Sequence, residues 1–150
     1  MTEKSINKKL SEYNSIIKEN EEIYHKIARK FGLSDCAFWI LYTMCEEEDT
    51  LTQTGICDAL YQPKQTVNSA LKKLEKDGYI ELETIAGCRS KQINFTEKGS
   101  KFVDETVGKV IANEQKALLS LTLEEQEMFI GLFHKYTNLL KNNINSMEDW

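Results

Sequence analysis

The fold is decided by the stretch from Leu51 to Gly99, which reads LTQTGICDALYQPKQTVNSALKKLEKDGYIELETIAGCRSKQINFTEKG. Apolar residues at helical spacing predict a short helix over 52–60 and a second helix over about 62–77, which begins with Gln62-Pro63. Proline fits the first position of a helix, because the backbone N–H that it lacks has no partner there. Two short helices joined by a tight turn therefore open the stretch.

A β-hairpin is predicted to follow these helices. Residues 79–84 alternate apolar and polar side chains, as a half-buried strand does. Residues 85–90 turn around Gly87, and residues 91–95 return with Ile93 and Phe95 on one face. Helix, turn, helix and hairpin in this order form the layout of a winged helix-turn-helix.

Longer helices are predicted on both sides of this module. Apolar residues recur at steps of three and four over 6–31 until Gly32 ends the helix, and Ser34 caps an almost wholly apolar helix over 35–45. Thr96 caps a helix that reaches about residue 119, and Thr122 starts a final helix with capping-box spacing. The fold class is mainly α with a small β-hairpin wing (α+β), with long N- and C-terminal helices.

The charge of the chain is unevenly distributed. Its 150 residues suit one domain or one subunit of a small oligomer, and the net charge is −5. Residues 62–101, however, carry eight Lys or Arg against five Asp or Glu, whereas residues 1–61 and 102–150 each have a net charge of −4. The positive segment contains the turn and the hairpin. Its local positive charge therefore suits binding to a phosphate backbone, although the net charge of the whole chain is negative.

The second short helix has side chains suited to reading duplex DNA. Gln65 and Asn68 lie three apart on one face, and both can form paired hydrogen bonds with adenine in the major groove. Lys64 can reach guanine or phosphate, and Arg89 at the hairpin tip can enter a neighbouring minor groove. The residues predicted to contact DNA are Gln62, Pro63, Lys64, Gln65, Thr66, Asn68, Ser69, Lys72, Lys73, Arg89 and Lys91.

These motifs resemble the MarR family of bacterial transcription regulators over nearly the whole chain. The similar stretches are 33–34, 51–52, QPKQTVN at 62–68, LKKLEKDGYI at 71–80 and FTEKG at 95–99. The resemblance implies a homodimer, with residues 1–32 and 100–150 as the helical dimerisation region and residues 33–99 as the DNA-binding region. It also implies repression from a pseudo-palindromic operator in double-stranded DNA.

The wing departs from the family pattern. Family wings often have an acidic residue shortly before the tip arginine, and that residue braces the arginine. Gly87 and Cys88 precede Arg89 here, so the aim of Arg89 is open and the wing contributes mainly charge.

The resemblance implies that the regulator is switched by a small aromatic compound, by thiol oxidation or by a metal ion. An aromatic crevice is the default for this architecture, and Tyr13, Tyr24, Phe38, Trp39 and Tyr42 are the candidates to line it and stack on a small aromatic effector. Thiol oxidation is the alternative, with Cys88 and Cys36 as sensors, while Cys45 and Cys57 are expected in the core. No cofactor or metal is expected, because the cysteines and two histidines lack ligand spacing.

The sequence also bears on protein contact, on catalysis and on membrane insertion. A winged helix used for protein contact, without DNA binding, is the alternative from another class. No glycine-rich phosphate loop or nucleophile elbow is present, so we expect no enzyme. No apolar run approaches the roughly 20 residues that a membrane helix needs, and the expectation is a cytoplasmic protein.

Overall fold

The computed structural model describes residues 1–47 and 51–147. It is mostly helical with one small antiparallel sheet, which confirms the predicted fold class. The elements are α1 Glu3–Lys30, α2 Asp35–Glu46, β1 Leu51–Thr52, α3 Gln53–Leu60, α4 Lys64–Lys76, β2 Ile80–Glu83, β3 Gln92–Phe95, α5 Glu97–Glu105, α6 Val107–Leu119 and α7 Leu123–Asn145. The chain divides into two compact units, Met1–Lys109 and Val110–Trp150.

Hydrogen-bonding side chains cap the starts of four helices, and those at Ser34, Thr96 and Thr122 agree with the prediction. The side chains of Ser34, Thr52 and Thr96 each accept a hydrogen bond from a backbone N–H in the first turn of α2, α3 and α5. At α7, Thr122 and Glu125 form a complete capping box. Pro63 is the N-cap of α4 rather than its first residue, so this helix begins one residue later than predicted.

The sheet has one strand more than the predicted hairpin. Strands β2 and β3 pair antiparallel, with Ile80 opposite Phe95, and β1 pairs with the other edge of β3, giving the order β1-β3-β2. The third strand is only two residues long and directly precedes α3. A segment this short gives no alternating pattern in the sequence, which explains why it was not predicted.

The prediction of a single helix from Thr96 to about residue 119 was wrong. The helix breaks at Thr106, whose φ of −126° and ψ of −88° are not helical, and this divides the segment into α5 and α6. The Thr106 hydroxyl donates to the carbonyl of Phe102 at 2.6 Å. A side chain that bonds to the preceding turn competes with the backbone pattern, whereas the apolar spacing alone continues through the break.

The core of the first unit lies between α2, α3, α4 and the sheet. The apolar residues whose spacing predicts this helix form its inward face, because Val67, Ala70, Leu71 and Leu74 are all buried. They belong to a core in which the largest fully buried side chains are Phe38, Ile40, Leu41, Ile56, Leu71, Leu74, Ile80, Val67 and Val107. This packing fixes the inner face of α4 and leaves its opposite face to solvent.

The second unit contains most of α6 and all of α7. None of the residues described in α7 is buried within the chain, although the helix contains many large apolar side chains. Within the described part of the chain, no helix is long and apolar enough to cross a membrane.

Candidate nucleic-acid interface

The outer face of α4 is a polar surface without acidic residues in its first turn. Gln65 and Lys72 are exposed opposite the buried face, whereas Asn68 is half-buried at its border. The exposed residues of this helix are Lys64, Gln65, Thr66, Ser69, Lys72 and Lys73, followed by Glu75 and Lys76 in its last turn. This arrangement presents hydrogen-bonding groups and positive charge along one side of the helix, as reading a groove requires.

Lys73 has a partner within α4. Its ammonium group lies 3.2 Å from the Asp77 carboxylate, one helical turn further on. The side chain of Lys73 is 67% exposed and that of Asp77 is 37% exposed, so water screens the pair and it contributes little to stability, about 0.3–0.5 kcal/mol for a pair of this spacing. Part of the charge of Lys73 is therefore compensated inside the chain, and Lys64 and Lys72 are the better candidates for phosphate contacts.

The C-terminal end of α4 is anchored to the start of α5. The Lys98 ammonium donates to the Asp77 carbonyl at 2.6 Å and lies 4.9 Å from the centre of the Tyr79 ring. Tyr79 stacks on Phe102 at 4.2 Å between ring centres, and the backbone N–H of Thr96 donates to the Tyr79 carbonyl. These contacts fix the direction of α4 relative to the wing strands.

The wing loop spans residues 84–91 between β2 and β3. Gly87 has a φ of +78°, which suits glycine, and the backbone N–H of Cys88 donates to the Ile85 carbonyl to close the turn. Arg89 and Lys91 are exposed. The structure therefore places both predicted wing cations at the surface.

One set of contacts in the wing was missed from the sequence. The Ser90 side chain accepts a hydrogen bond from the Thr54 backbone N–H at 3.1 Å, and the two hydroxyl groups also lie 3.1 Å apart. The backbone N–H of Gln53 donates to the Lys91 carbonyl at 3.0 Å. The base of the wing is thus attached to the N-terminus of α3, next to Arg89.

Two of the five predicted aromatic residues line a surface cleft. Tyr24 and Trp39, with ring centres 4.8 Å apart, border a cleft of about 580 Å³ between α1 and α2. Phe38 is fully buried and belongs to the core, and neither Tyr13 nor Tyr42 lines this cleft. The structure therefore brings together only part of the predicted set.

The charged side chains of this aromatic cleft are mostly acidic. Glu21, Glu22 and Asp35 face it together with Lys18 and His25. The His25 ring nitrogen Nδ1 lies 2.9 Å from the Asp35 carboxylate and joins α1 to the first turn of α2. An aromatic carboxylate entering the cleft would meet an excess of negative charge.

Two cysteines are less buried than the sequence predicts. Cys45 is exposed, so its prediction as a core residue was wrong, and Cys57 is only half-buried. The thiol groups of Cys36 and Cys45 are each partly shielded from water even though Cys45 as a whole residue is exposed, and this raises their pKa; Cys57 raises it further at Cys36, and Asp104 and Glu46 raise it further at Cys45. A raised pKa lowers the thiolate fraction, which is the opposite of what a sensor at Cys36 requires. Cys88 is exposed in the wing loop.

Metal binding has no geometric support in the described residues. Across 1–47 and 51–147, no group of three or more His, Cys, Asp and Glu side chains is placed to hold a metal ion.

Comparison with known proteins points to one group of regulators. A model of the MarR family matches residues 31–87. The chain is 28% identical over 121 residues to the regulator PecS of Dickeya dadantii, covering 79% of this chain and 73% of PecS. It is 26% identical over 119 residues to the helix-turn-helix regulator YwoH of Bacillus subtilis, covering 79% of this chain and 82% of YwoH.

Solved structures agree with this result. The structure of S. aureus MepR in its DNA-binding conformation is similar to the chain with a TM-score of 0.73 and 25% identity, covering 87% of this chain and 98% of that one. The resemblance to the MarR family that the sequence motifs indicate is therefore confirmed. The named relatives are transcriptional regulators and not enzymes, in agreement with the expected class.

Proposed function

We propose that the chain, which resembles regulators of the MarR family, is a winged-helix transcriptional regulator that binds a pseudo-palindromic operator as a homodimer and represses transcription. The observation that carries the proposal is the outer face of α4, where amide, hydroxyl and ammonium groups are exposed together on a helix held by a buried core. Such a helix enters the major groove, and its first turns reach the base edges.

Within this proposal, the residues of the interface divide into two roles. Gln65 and Asn68 read bases, and Lys64 contacts guanine or phosphate. Thr66, Ser69 and Lys72 contact phosphates, which set the register without reading sequence. Gln62, Pro63 and Lys73 border this surface, and Arg89 and Lys91 bring the wing to the adjacent backbone or minor groove.

The two roles are tested by binding of purified variants to two duplexes, one from the region upstream of its own gene and one of random sequence. We expect Asn68→Ala to weaken specific binding by about 1–3 kcal/mol and to leave random binding unchanged. Lys72→Ala should weaken both and reduce the slope of log affinity against log salt by about one. Lys8→Ala, which removes an equal charge from α1, is the matched control.

Either of two results would remove the proposed roles. Equal losses on both duplexes for Asn68→Ala would exclude base reading by that residue. An unchanged salt slope for Lys72→Ala would exclude its phosphate contact. If the unmodified protein binds no duplex at all, a winged helix used for protein contact becomes the better interpretation.

The homodimer is supported by the apolar surface of the terminal helices. The large apolar side chains of α7 from Met128 to Ile144 are 38–58% exposed in the single chain, and Ile6, Leu10, Ile16 and Ile23 of α1 are similarly exposed. Soluble monomers rarely show apolar surface of this extent, so a second copy is the proposed cover. Residues 1–32 and 100–150 then supply dimerisation, and residues 33–99 bind DNA.

Sedimentation tests the dimer directly. Phe133→Glu places a charge on the apolar side of α7 and should shift the protein to monomer, because burying an unpaired carboxylate in an interface is unfavourable. Asn142→Glu adds the same charge on the opposite side of the helix and should leave the dimer intact. Equal masses for the two variants would exclude this face as the interface.

The proposed effector is a small planar aromatic compound bound at Tyr24 and Trp39. Since Glu21, Glu22 and Asp35 dominate the charge of the aromatic cleft, a neutral or cationic compound fits better than an aromatic acid. N-methylquinolinium should quench Trp39 fluorescence and release DNA, and salicylate should do neither. Trp39→Phe is the control, because it removes the signal while leaving Trp150 in place. Release by salicylate alone would contradict this choice.

Oxidation remains the alternative signal, through Cys88 in particular. Peroxide should then release DNA from the unmodified protein and not from a Cys88→Ser variant. The place of action proposed for such a DNA-binding regulator is the bacterial cytoplasm.

A further inference from the structure

Tyr61 combines two properties that are unfavourable for a folded chain. It lies in the turn between α3 and α4 with φ of +51° and ψ of +35°, the left-handed region, and among the described residues no other non-glycine residue has a positive φ. Its side chain is 90% exposed. Tyr61 therefore adopts a strained backbone conformation and leaves its ring in water.

Folding stability does not account for a tyrosine at this position. Glycine enters the left-handed region more easily because it has no Cβ to crowd the following carbonyl, and asparagine does so because its short polar side chain can hydrogen-bond locally. An aromatic ring stabilises a fold by burying its surface, and a ring that is 90% exposed contributes almost none of that. The exposed ring is available for a contact outside the folded chain.

The position of Tyr61 narrows the choice of contact. It lies three residues before Lys64, the exposed first residue of α4, and one residue before Gln62. In a helix-turn-helix docked on DNA, the first helix crosses the backbone and the N-terminal residues of the second helix contact base edges, so the turn that joins them passes close to the sugar-phosphate backbone. The charge of the 62–101 segment attracts the same backbone.

We propose that Tyr61 is a DNA-backbone contact, in which its hydroxyl donates to a phosphate oxygen and its ring packs against deoxyribose at the edge of the major groove. This inference rests on the proposed DNA binding. A single phenol hydroxyl does not form the paired hydrogen bonds that distinguish bases, so Tyr61 contributes affinity and not sequence preference.

The absence of charge on tyrosine makes this role separable from that of the lysines. Loss of a lysine–phosphate contact reduces both the affinity and the salt dependence, because fewer counterions are released on binding. Loss of a neutral contact reduces the affinity and leaves the salt dependence unchanged. Tyr61 and Lys72 should therefore differ in the slope of log affinity against log salt.

The test compares Tyr61→Gly, Tyr61→Phe and Lys72→Ala in binding to the upstream duplex and to random duplex at several salt concentrations. Glycine suits φ of +51°, so Tyr61→Gly should unfold at the same temperature as the unmodified protein or at a higher one. We expect Tyr61→Gly to weaken binding to both duplexes by about 10-fold, and Tyr61→Phe by about 3-fold through loss of one hydrogen bond. The salt slope should change only in Lys72→Ala.

Several results would overturn the inference. Equal affinity of Tyr61→Gly and the unmodified protein would exclude a contribution of Tyr61 to DNA binding, and a reduced salt slope in Tyr61→Gly would exclude a neutral backbone contact. If the unmodified protein binds DNA, these outcomes leave the proposed function standing; if it binds none, both fall together. Tyr61→Asn, which also tolerates the left-handed region, replaces Tyr61→Gly if the glycine variant is less stable.

Discussion

Replacing Gly99 by alanine would place a methyl group against the main chain of Tyr79. A Cβ atom built on Gly99 lies 1.8 Å from the Tyr79 carbonyl oxygen and 2.8 Å from its carbonyl carbon, whereas real Cβ atoms essentially never come closer than 3.0 Å. The obstructing atoms belong to the backbone and do not rotate away. The start of α5 and the segment entering β2 must therefore separate by more than 1 Å.

The effect on stability follows from the contacts at this junction. Overpacking against a fixed neighbour costs about 3 kcal/mol at the upper end of the usual range. The separation also breaks the hydrogen bond from the Thr96 N–H to the Tyr79 carbonyl, which contributes about 1 kcal/mol. Alanine is more favourable than glycine inside a helix by about 1 kcal/mol, which offsets part of this loss of stability. The expected net loss in the free energy of unfolding is about 3 kcal/mol.

Urea denaturation followed by circular dichroism measures this loss. All samples need the same protein concentration, because a dimer gains apparent stability by mass action. Ser100→Ala, on the exposed side of the same helix, is the control and should stay within about 0.5 kcal/mol of the unmodified protein. A Gly99→Ala variant that is as stable as this control would refute the close approach of α5 to Tyr79.

Three further outcomes are expected from other sites. Ser90→Ala should speed amide hydrogen exchange at Thr54 and through the wing loop, because the wing loses its hydrogen bonds to the start of α3. Exchange as slow as in the unmodified protein would contradict this attachment of the wing. The hydrogen bond from the Thr122 backbone N–H holds the pKa of Glu125 below its usual value. The capping box should therefore stabilise the start of α7 above about pH 4.5, and this stabilisation should be lost on acidification as Glu125 is protonated. If helicity falls between pH 6 and 3 by the same amount in Glu125→Gln, the carboxylate does not supply this stabilisation. Iodoacetamide at pH 7 should modify exposed Cys88 before Cys36, whose pKa is raised by burial, and mass spectrometry of the digested protein reports the order.

Most of the fold was predictable because local signals agreed with the packing. Ser34, Thr52, Thr96 and Thr122 are hydrogen-bonding residues placed just before apolar periodic segments, and each one caps the helix that follows. The inward face of α4 also followed from spacing alone. Helix caps and amphipathic faces depend on residues only a few positions apart, so they can be recognised in a single sequence.

The features that were missed depend on contacts between distant residues or on a single dihedral angle. Strand β1 exists through its pairing with β3, and the attachment of Ser90 joins residues 36 positions apart. The break at Thr106 and the left-handed conformation of Tyr61 leave the apolar pattern undisturbed. The exposure of Cys45 depends on which side of α2 faces the core. The sequence of α2 is apolar on nearly all sides, so its pattern does not indicate which side is buried.

Selection of bound duplexes from a random-sequence library tests the central proposal most directly. A homodimer that places two copies of α4 in successive major grooves should enrich inverted half-sites whose centres lie about 10 base pairs apart. Asn68→Ala should lose the preference at one or two positions of each half-site while still retaining DNA. Failure to enrich any sequence, or enrichment of a single half-site without an inverted partner, would contradict a dimeric regulator that reads DNA through α4.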